Sequence, residues 1–359
     1  VLLSRCFFNL GVAHRGDNRH FVCVSNHDVW MWRALEEAAK GVGRTSPNPP
    51  VGAVVVRDGV ELGSGWHRQA GQPHAEREAI ADVTKRHGAE AMKGATIYVT
   101  LEPCSTSGRT PPCVDGVIEN GFARVVYATR DPNPEHAGRA DGLLEKQGIE
   151  VVSGVLEDEA AKLIRPFARV QQTGLPWVVL KTAMSLDGRL TRPAGEGPWL
   201  TGPEARKEVQ RMRARADAML TSGETVRRDR PRLDVREAEL LEGREQPWRV
   251  VLTGRPDSLP ADAPLFTDDH ADRTLIRSRR DPEDVLREQV RDRGVNLVEA
   301  ECGGRLAGAL LDAGLVTELA VFLAPMLTGG DVPSIGGSGF DGGHGLREVG
   351  FERIGPDLL

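Results

Sequence analysis

The stretch that decides the fold is "HAEREAIADV", residues 74–83, read together with "LEPCSTSGRTPPC", residues 101–113. The first places a histidine, and two residues later a glutamate, at the front of a predicted helix over Ala75–His87. The second runs off a predicted strand, "ATIYVTL", into two cysteines with eight residues between them. His74, Cys104 and Cys113 offer one imidazole and two thiolates, a donor set suited to Zn²⁺, and a catalytic zinc keeps its fourth position for water. Glu76 is spaced to face that open position, where it takes a proton from water and hands it to a leaving amine. Two thiolates cancel the formal charge of the metal, so a carboxylate base is needed as well.

Taken singly these features are weak. A lone His-x-Glu is mostly chance, and two cysteines alone are ordinary small core residues. The full set, with a strand feeding "LEPC", is the signature of zinc nucleobase deaminases. The cysteine spacing departs from their usual two residues and requires a loop, which carries Ser105, Ser107, Arg109 and Thr110. Arg109 suits a substrate with polar groups or a phosphate; a solvated arginine is the plain alternative. "TSPNPPVG" puts Asn48 on a proline-stiffened turn as a candidate amide clamp for a heterocycle, against a simple turn asparagine. His67, at the end of a predicted hairpin, is a candidate substrate contact or a surface histidine.

At 359 residues the chain exceeds what one core usually fills, so two domains are expected. A net charge of −6 argues against a dedicated nucleic-acid binder. The expected partner is therefore a small molecule, with no nucleic acid and no membrane; a homo-oligomer remains open. Five cysteines do not suggest a disulfide framework. No apolar run reaches the eighteen residues of a membrane span. The opening "VLLSRCFFNLGVAHRGDNRHFVCVSN" is broken by Arg5, Asn9 and His14 and is not expected to be a signal peptide. Residues 1–26, with Cys6 and Cys23, are set aside as an extension, and a cytoplasmic enzyme is expected.

From Val29 the pattern is regular. "MWRALEEAAKG" reads as a helix, "PPVGAVVVRDGVELGSGWH" as two strands around the Asp58-Gly59 turn, and strands then alternate with helices as far as "IEVV". A charged helix, "EDEAAKLIRPFARVQQ", leads into a linker at "TGLP". The alternation restarts with the strand "WVVLKTAM", the helix "PEARKEVQRMRAR" and the strands "AMLTS", "RVVLT" and "VNLVEAE", whereas 237–246 reads as a surface excursion. The expectation is an α/β chain with residues 27–172 as one domain and 173–359 as another. "SLDGR" makes a turn near Lys181, and "ECGGRLAGALL" is strand, glycine pair, helix, a phosphate seat or a simple turn. No GxGxxG fingerprint is present, so a dinucleotide needs another mode of binding.

"SPNPPVGAVVV", "GQPHAE" and "VTLEPCSTSGRTPPC" resemble the N-terminal domain of the bifunctional riboflavin-biosynthesis deaminase/reductase family. "LKTAMSLDGR", "WLTGPEAR", "GETVRRDRPRLDVR" and "ECGGRLAGALL" resemble its C-terminal reductase domain. The resemblance spans residues 28 to about 355. It implies a cytidine-deaminase-like three-layer domain followed by a dihydrofolate-reductase-like domain. It implies deamination of 2,5-diamino-6-ribosylamino-4(3H)-pyrimidinone 5′-phosphate, with zinc on His74, Cys104 and Cys113, and then NADPH-dependent reduction of the ribosyl group to ribityl. By the same resemblance Ala183, Trp199, Thr225, Asp229 and the Gly303–Gly304 turn contact NADPH. Arg213, Leu233, Arg236 and Glu301 contact the substrate, with the two arginines suited to its phosphate; a solvated basic helix face is the alternative for "RMRARA". Lys181 and Asp229 are the candidates for polarising the sugar carbon that receives hydride. Many members carry a histidine that contacts the substrate ring where this chain has Thr106. The rivals are a deaminase acting on a base in RNA with a C-terminal binding module, and a structural zinc site, which should show a fourth ligand.

Overall fold

The computed structural model describes residues 26–106, 111–134, 136–193, 195–197, 199–337, 339, 343 and 345–359. The first described helix is α1 (Asn26–Ala39). Next come β1 (Gly52–Arg57), β2 (Val60–Trp66), α2 (Ala75–His87), β3 (Thr96–Leu101), α3 (Cys113–Glu119), β4 (Arg124–Thr129), α4 (Arg139–Glu145), β5 (Glu150–Ser153) and α5 (Glu157–Thr173). The strands make one sheet in the order β2-β1-β3-β4-β5. β1 is antiparallel to both its neighbours, and β3, β4 and β5 run parallel.

The three layers follow from apolar patterning. "GAVVV" is buried throughout, as a strand covered on both faces must be. Ala75, Ala79 and Val83 of α2 pack with Val117 of α3 and Leu144 of α4 on one face. Met31, Ala34 and Leu35 of α1 pack with Ala160 of α5 on the other. Gly52 lies where helix and strand touch: a Cβ there would sit 2.1 Å from the Ala34 carbonyl oxygen.

α5 ends at Gly174 in left-handed geometry, and β6 (Trp177–Ser185) opens a second sheet. The remaining elements are α6 (Pro203–Arg215), β7 (Ala218–Ser222), α7 (Gly223–Asp229), α8 (Ala238–Leu241), β8 (Trp248–Thr253), α9 (Pro264–Thr267), β9 (Thr274–Ser278), α10 (Pro282–Arg293), β10 (Leu297–Glu301), α11 (Gly304–Asp312), β11 (Glu318–Ala324), β12 (Arg353–Ile354) and β13 (Asp357–Leu358). The sheet order is β12-β13-β11-β6-β10-β7-β8-β9, parallel from β11 to β9. Alternation along β6 and β10 sends Val178, Leu180, Val298 and Ala300 into a core with Val285 and Leu286 of α10 and Leu310 of α11. Lys181 and Glu301 therefore point to the opposite face, where α6 packs.

Sequence reading misses β9, β11, α7, α10 and the two-residue strands β12 and β13. It also takes 237–246 for a plain surface excursion. That segment instead holds α8, whose Leu241 is buried with Val235 and Ala214, while Gln246 bonds Val235 through both its amide atoms.

Candidate active sites

His74 is the N-cap residue of α2, Cys104 follows β3, and Cys113 opens α3. His74 Nδ1 lies 3.5 Å from Cys104 Sγ and 3.4 Å from Cys113 Sγ. Ligands at zinc bond lengths in a tetrahedron stand about 3.6 Å apart, so the three residues fit the ion. Among the described residues this is the one His/Cys/carboxylate cluster of metal-site dimensions, and it has three members. The fourth ligand that a structural zinc requires is therefore absent among the described residues. Without metal the sulfurs divide the work: Cys113 and His74 hold the Cys104 thiol down to about 4, and Cys104 and burial push Cys113 up. A cation held by these residues would displace the remaining proton.

Glu76, two residues into the helix, is 4% exposed and stands against both cysteines; burial and then the Cys104 charge raise its carboxyl pKa. A carboxyl that holds a proton more readily than usual is suited to returning one.

His67 is neither a surface histidine nor placed for direct contact. It is buried, with Nδ1 3.0 Å from the Pro73 carbonyl oxygen and Nε2 3.0 Å from Asn48 Nδ2. Burial lowers its pKa, so the neutral ring donates from Nδ1 and accepts the Asn48 amide at Nε2. Asn48 is thereby oriented. Arg109 lies outside the described residues. Thr106 Oγ1 is 2.9 Å from His136 Nδ1, on the loop after β4. Sequence reading misses this histidine, and it also misses Glu102, whose buried carboxylate accepts from the amides of Asp131, Gly138 and Ala140 and so fixes that loop. The only signal was the glutamate of "LEPC", a charge ending an apolar strand.

In the second half, Arg213 donates to Glu301 at 2.6 and 3.0 Å and to the Asp234 carbonyl oxygen at 3.1 Å. It is buried, and each of its three nitrogens donates one bond within the protein, which leaves one further N–H on each terminal nitrogen. The solvated-face reading of "RMRARA" holds for its neighbour Arg211, which is exposed. Arg236 is exposed and lines a groove with Trp199, Pro203, Arg206, Lys207, Gln210 and the acidic Glu237. Leu233 is buried against Ala216 and Met219 and has a left-handed φ of 52°, which leaves its main chain as the contact it can offer. Lys181 Nζ lies 3.7 Å from Glu301 Oε2. Asp229 ends α7, exposed, with no ion pair to Lys181 among the described residues. Gly303, the N-cap of α11, donates to Thr225 Oγ1 at 3.3 Å, and a Cβ there would meet only that oxygen, at 3.9 Å, so a phosphate can approach its main chain. Gly304 cannot carry a Cβ, which would lie 2.4 Å from the Pro333 carbonyl oxygen. Ala183 packs partly buried beside Phe322 on this face of the sheet.

Residues 24–129 match the cytidine and deoxycytidylate deaminase zinc-binding region, and residues 176–359 match the RibD C-terminal domain. The chain belongs to the RibD family. The riboflavin biosynthesis protein RibD of Haemophilus influenzae is 42% identical over 328 residues, covering 84% of this chain and 86% of that protein. RibD of Mycobacterium tuberculosis is 39% identical, covering 94% and 97%. The solved structure of Acinetobacter baumannii RibD superposes with a TM-score of 0.84 at 35% identity, covering 93% of this chain and 97% of that one. A diaminohydroxyphosphoribosylaminopyrimidine deaminase/5-amino-6-(5-phosphoribosylamino)uracil reductase from Thermotoga maritima gives 0.80 at 33% identity, with the same coverage. The chain is thus a bifunctional enzyme of riboflavin biosynthesis, a zinc-dependent deaminase followed by an NADPH-dependent reductase, acting on a small molecule. The reading of it as an RNA-base deaminase is not supported. Among the described residues no helix is long and apolar enough to cross a membrane.

Proposed function

We propose that residues 27–172 deaminate 2,5-diamino-6-ribosylamino-4(3H)-pyrimidinone 5′-phosphate at the His74–Cys104–Cys113 centre, and that residues 173–359 reduce the product's ribosyl group. The observation that carries the first assignment is the convergence of His74 Nδ1 on two sulfurs at 3.4 and 3.5 Å with Glu76 buried beside them. Zinc held there supplies Lewis-acid activation of water. The Glu76 carboxylate accepts a proton from the attacking water and passes it to the departing amino group, so water and the ring amine become a ring carbonyl and ammonia. Asn48, oriented by His67, clamps the heterocycle, and Arg109 serves the substrate's polar groups.

For reduction, bound NADPH would supply hydride to C1 of the sugar, whose bond to the ring oxygen opens while that oxygen takes up a proton. Thr225, Gly303 and Gly304 face its phosphates, with Ala183, Trp199 and Asp229 as further contacts. Lys181, held by Glu301 and through it by Arg213, polarises the sugar carbon. Asp229 keeps a cofactor role on the helix it shares with Thr225, because its carboxylate is not paired with the lysine. The substrate phosphate goes to the exposed Arg236 beside Arg206 and Lys207, whereas Arg213 is paired with Glu301; Leu233 contributes its main chain. The acidic net charge of −6 favours a free metabolite over a nucleic acid as substrate, and a cytoplasmic setting is part of the proposal.

Cys104→Ser tests the centre. A neutral hydroxyl in place of a thiolate should remove zinc and ammonia release together. Stoichiometric zinc with full deamination in that variant would overturn the assignment.

A further inference from the structure

We propose that the C-terminal half positions the substrate clamp of the deaminase: Ser46 and Pro47 are held by Asp217 and Asn296, and this sets Asn48. The proposal rests on the reading of Asn48 as the ring clamp. The loop between α1 and β1 closes on itself at this point, with Thr45 Oγ1 donating to the Asn48 carbonyl oxygen at 2.9 Å and the Asn48 backbone N–H donating to the Thr45 carbonyl oxygen at 2.8 Å. Its inner side reaches the metal ligands. Asn48 Nδ2 is 3.0 Å from His67 Nε2, and the His67 ring stands edge-on to the His74 ring with centroids 5.2 Å apart.

Its outer side is fastened to the other half of the chain. Ser46 Oγ donates to Asp217 Oδ2 at 2.9 Å, and the same oxygen accepts from the amides of Asn296 at 2.8 Å and Leu297 at 2.9 Å. The Asn296 side chain in turn donates to the Pro47 carbonyl oxygen at 3.1 Å. Arg244 donates to the carbonyl oxygens of Gly43 and Ala214, and Arg44 pairs with Glu242. The main chains also touch: a Cβ on Gly43 would lie 2.8 Å from Arg215 Cα, and one on Gly294 3.0 Å from Pro47 Cβ. The two bonds immediately before Asn48 therefore come from a different sheet. Prolines at 47, 49 and 50 stiffen the short segment, so a displacement at Ser46 is passed to the Asn48 amide rather than absorbed.

The test uses the full zinc-loaded chain and the pyrimidinone substrate. Ser46→Ala removes one bond between the halves, and Ser46→Ala with Asn296→Ala removes both while leaving the backbone amides on Asp217. The double variant should raise the deaminase KM about three- to tenfold or more, as expected for lost hydrogen bonds. Its zinc content, deaminase kcat and NADPH oxidation of deaminated substrate should stay unchanged. Ser46→Thr, which keeps the hydroxyl, should restore KM. If Asn48→Ala raises KM and the double variant does not, positioning from the C-terminal half is overturned and the clamp reading stands. If Asn48→Ala leaves deamination unchanged, the clamp reading itself fails. Equal losses of both activities in the double variant would point to general instability and likewise overturn the proposal.

Discussion

His136 shows how much a single side chain can hide from sequence reading. By the family resemblance Thr106 stands where a histidine is expected, which implies a missing ring contact. In the fold an imidazole is present all the same, because His136 from another loop bonds the threonine at 2.9 Å. Its position 30 residues along the chain gave no reason to connect the two. If His136 supplies that contact, His136→Ala should raise the deaminase KM about three- to tenfold with zinc retained, as loss of one hydrogen bond predicts. An unchanged KM in steady-state ammonia release would assign the contact to Thr106 alone. Arg213 teaches the converse. The resemblance implied a substrate contact and the basic helix a solvated face, but neither reading showed its partner Glu301, which lies 88 residues away. By contrast His74, Glu76, Cys104 and Cys113 were legible, since a metal site constrains residue type and spacing within a short stretch.

Among elements, legibility followed periodicity. The helix Ala75–His87 is where "HAEREAIADV" places it, because small apolar residues recur on one face and Gly88 closes it. β11, "ELAVFLA", is a parallel strand inside the sheet, paired along its length with β6, and its continuous apolar run offers no alternation to read. β12 and β13 have two residues each and no pattern at all. β8 carries a feature that its apolar sequence does not announce. Arg249, 2% exposed, pairs with Asp268, and its guanidinium also reaches the carbonyl oxygens of Arg232 and His270. Removing one partner of a buried pair leaves the other charge uncompensated, so Asp268→Asn should cost about 3–5 kcal/mol in urea unfolding at neutral pH. Arg249 holds the Asp268 carboxyl below the usual carboxylate range. With the folded value below the unfolded one, the pair's contribution is present above about pH 4 and is lost as pH falls further. The gap between wild type and Asp268→Asn should therefore narrow from pH 6 to pH 3; a constant gap would show that the pair is not what Asp268 contributes.

At the scale of the whole molecule, the change of sheet after "TGLP" was readable from renewed strand–helix alternation. The contact between the halves was not, because hydrogen bonds such as Ser46–Asp217 join residues 171 positions apart without a local pattern. The molecule carries two chemistries on two sheets, touching through the Asn48 loop yet each with its own acid–base groups. On the proposed reading Glu76 serves water and the ring amine, and Lys181, Glu301 and the Gly303 turn serve hydride transfer. Glu76→Gln separates the two claims most directly, since it keeps shape, removes the proton acceptor and leaves His74, Cys104 and Cys113 in place. Ammonia release should fall by a factor on the order of 10²–10⁴, with full zinc content, while NADPH oxidation of supplied deaminated substrate continues at the wild-type rate. Loss of both reactions in a folded, zinc-loaded Glu76→Gln chain would contradict two separate sites.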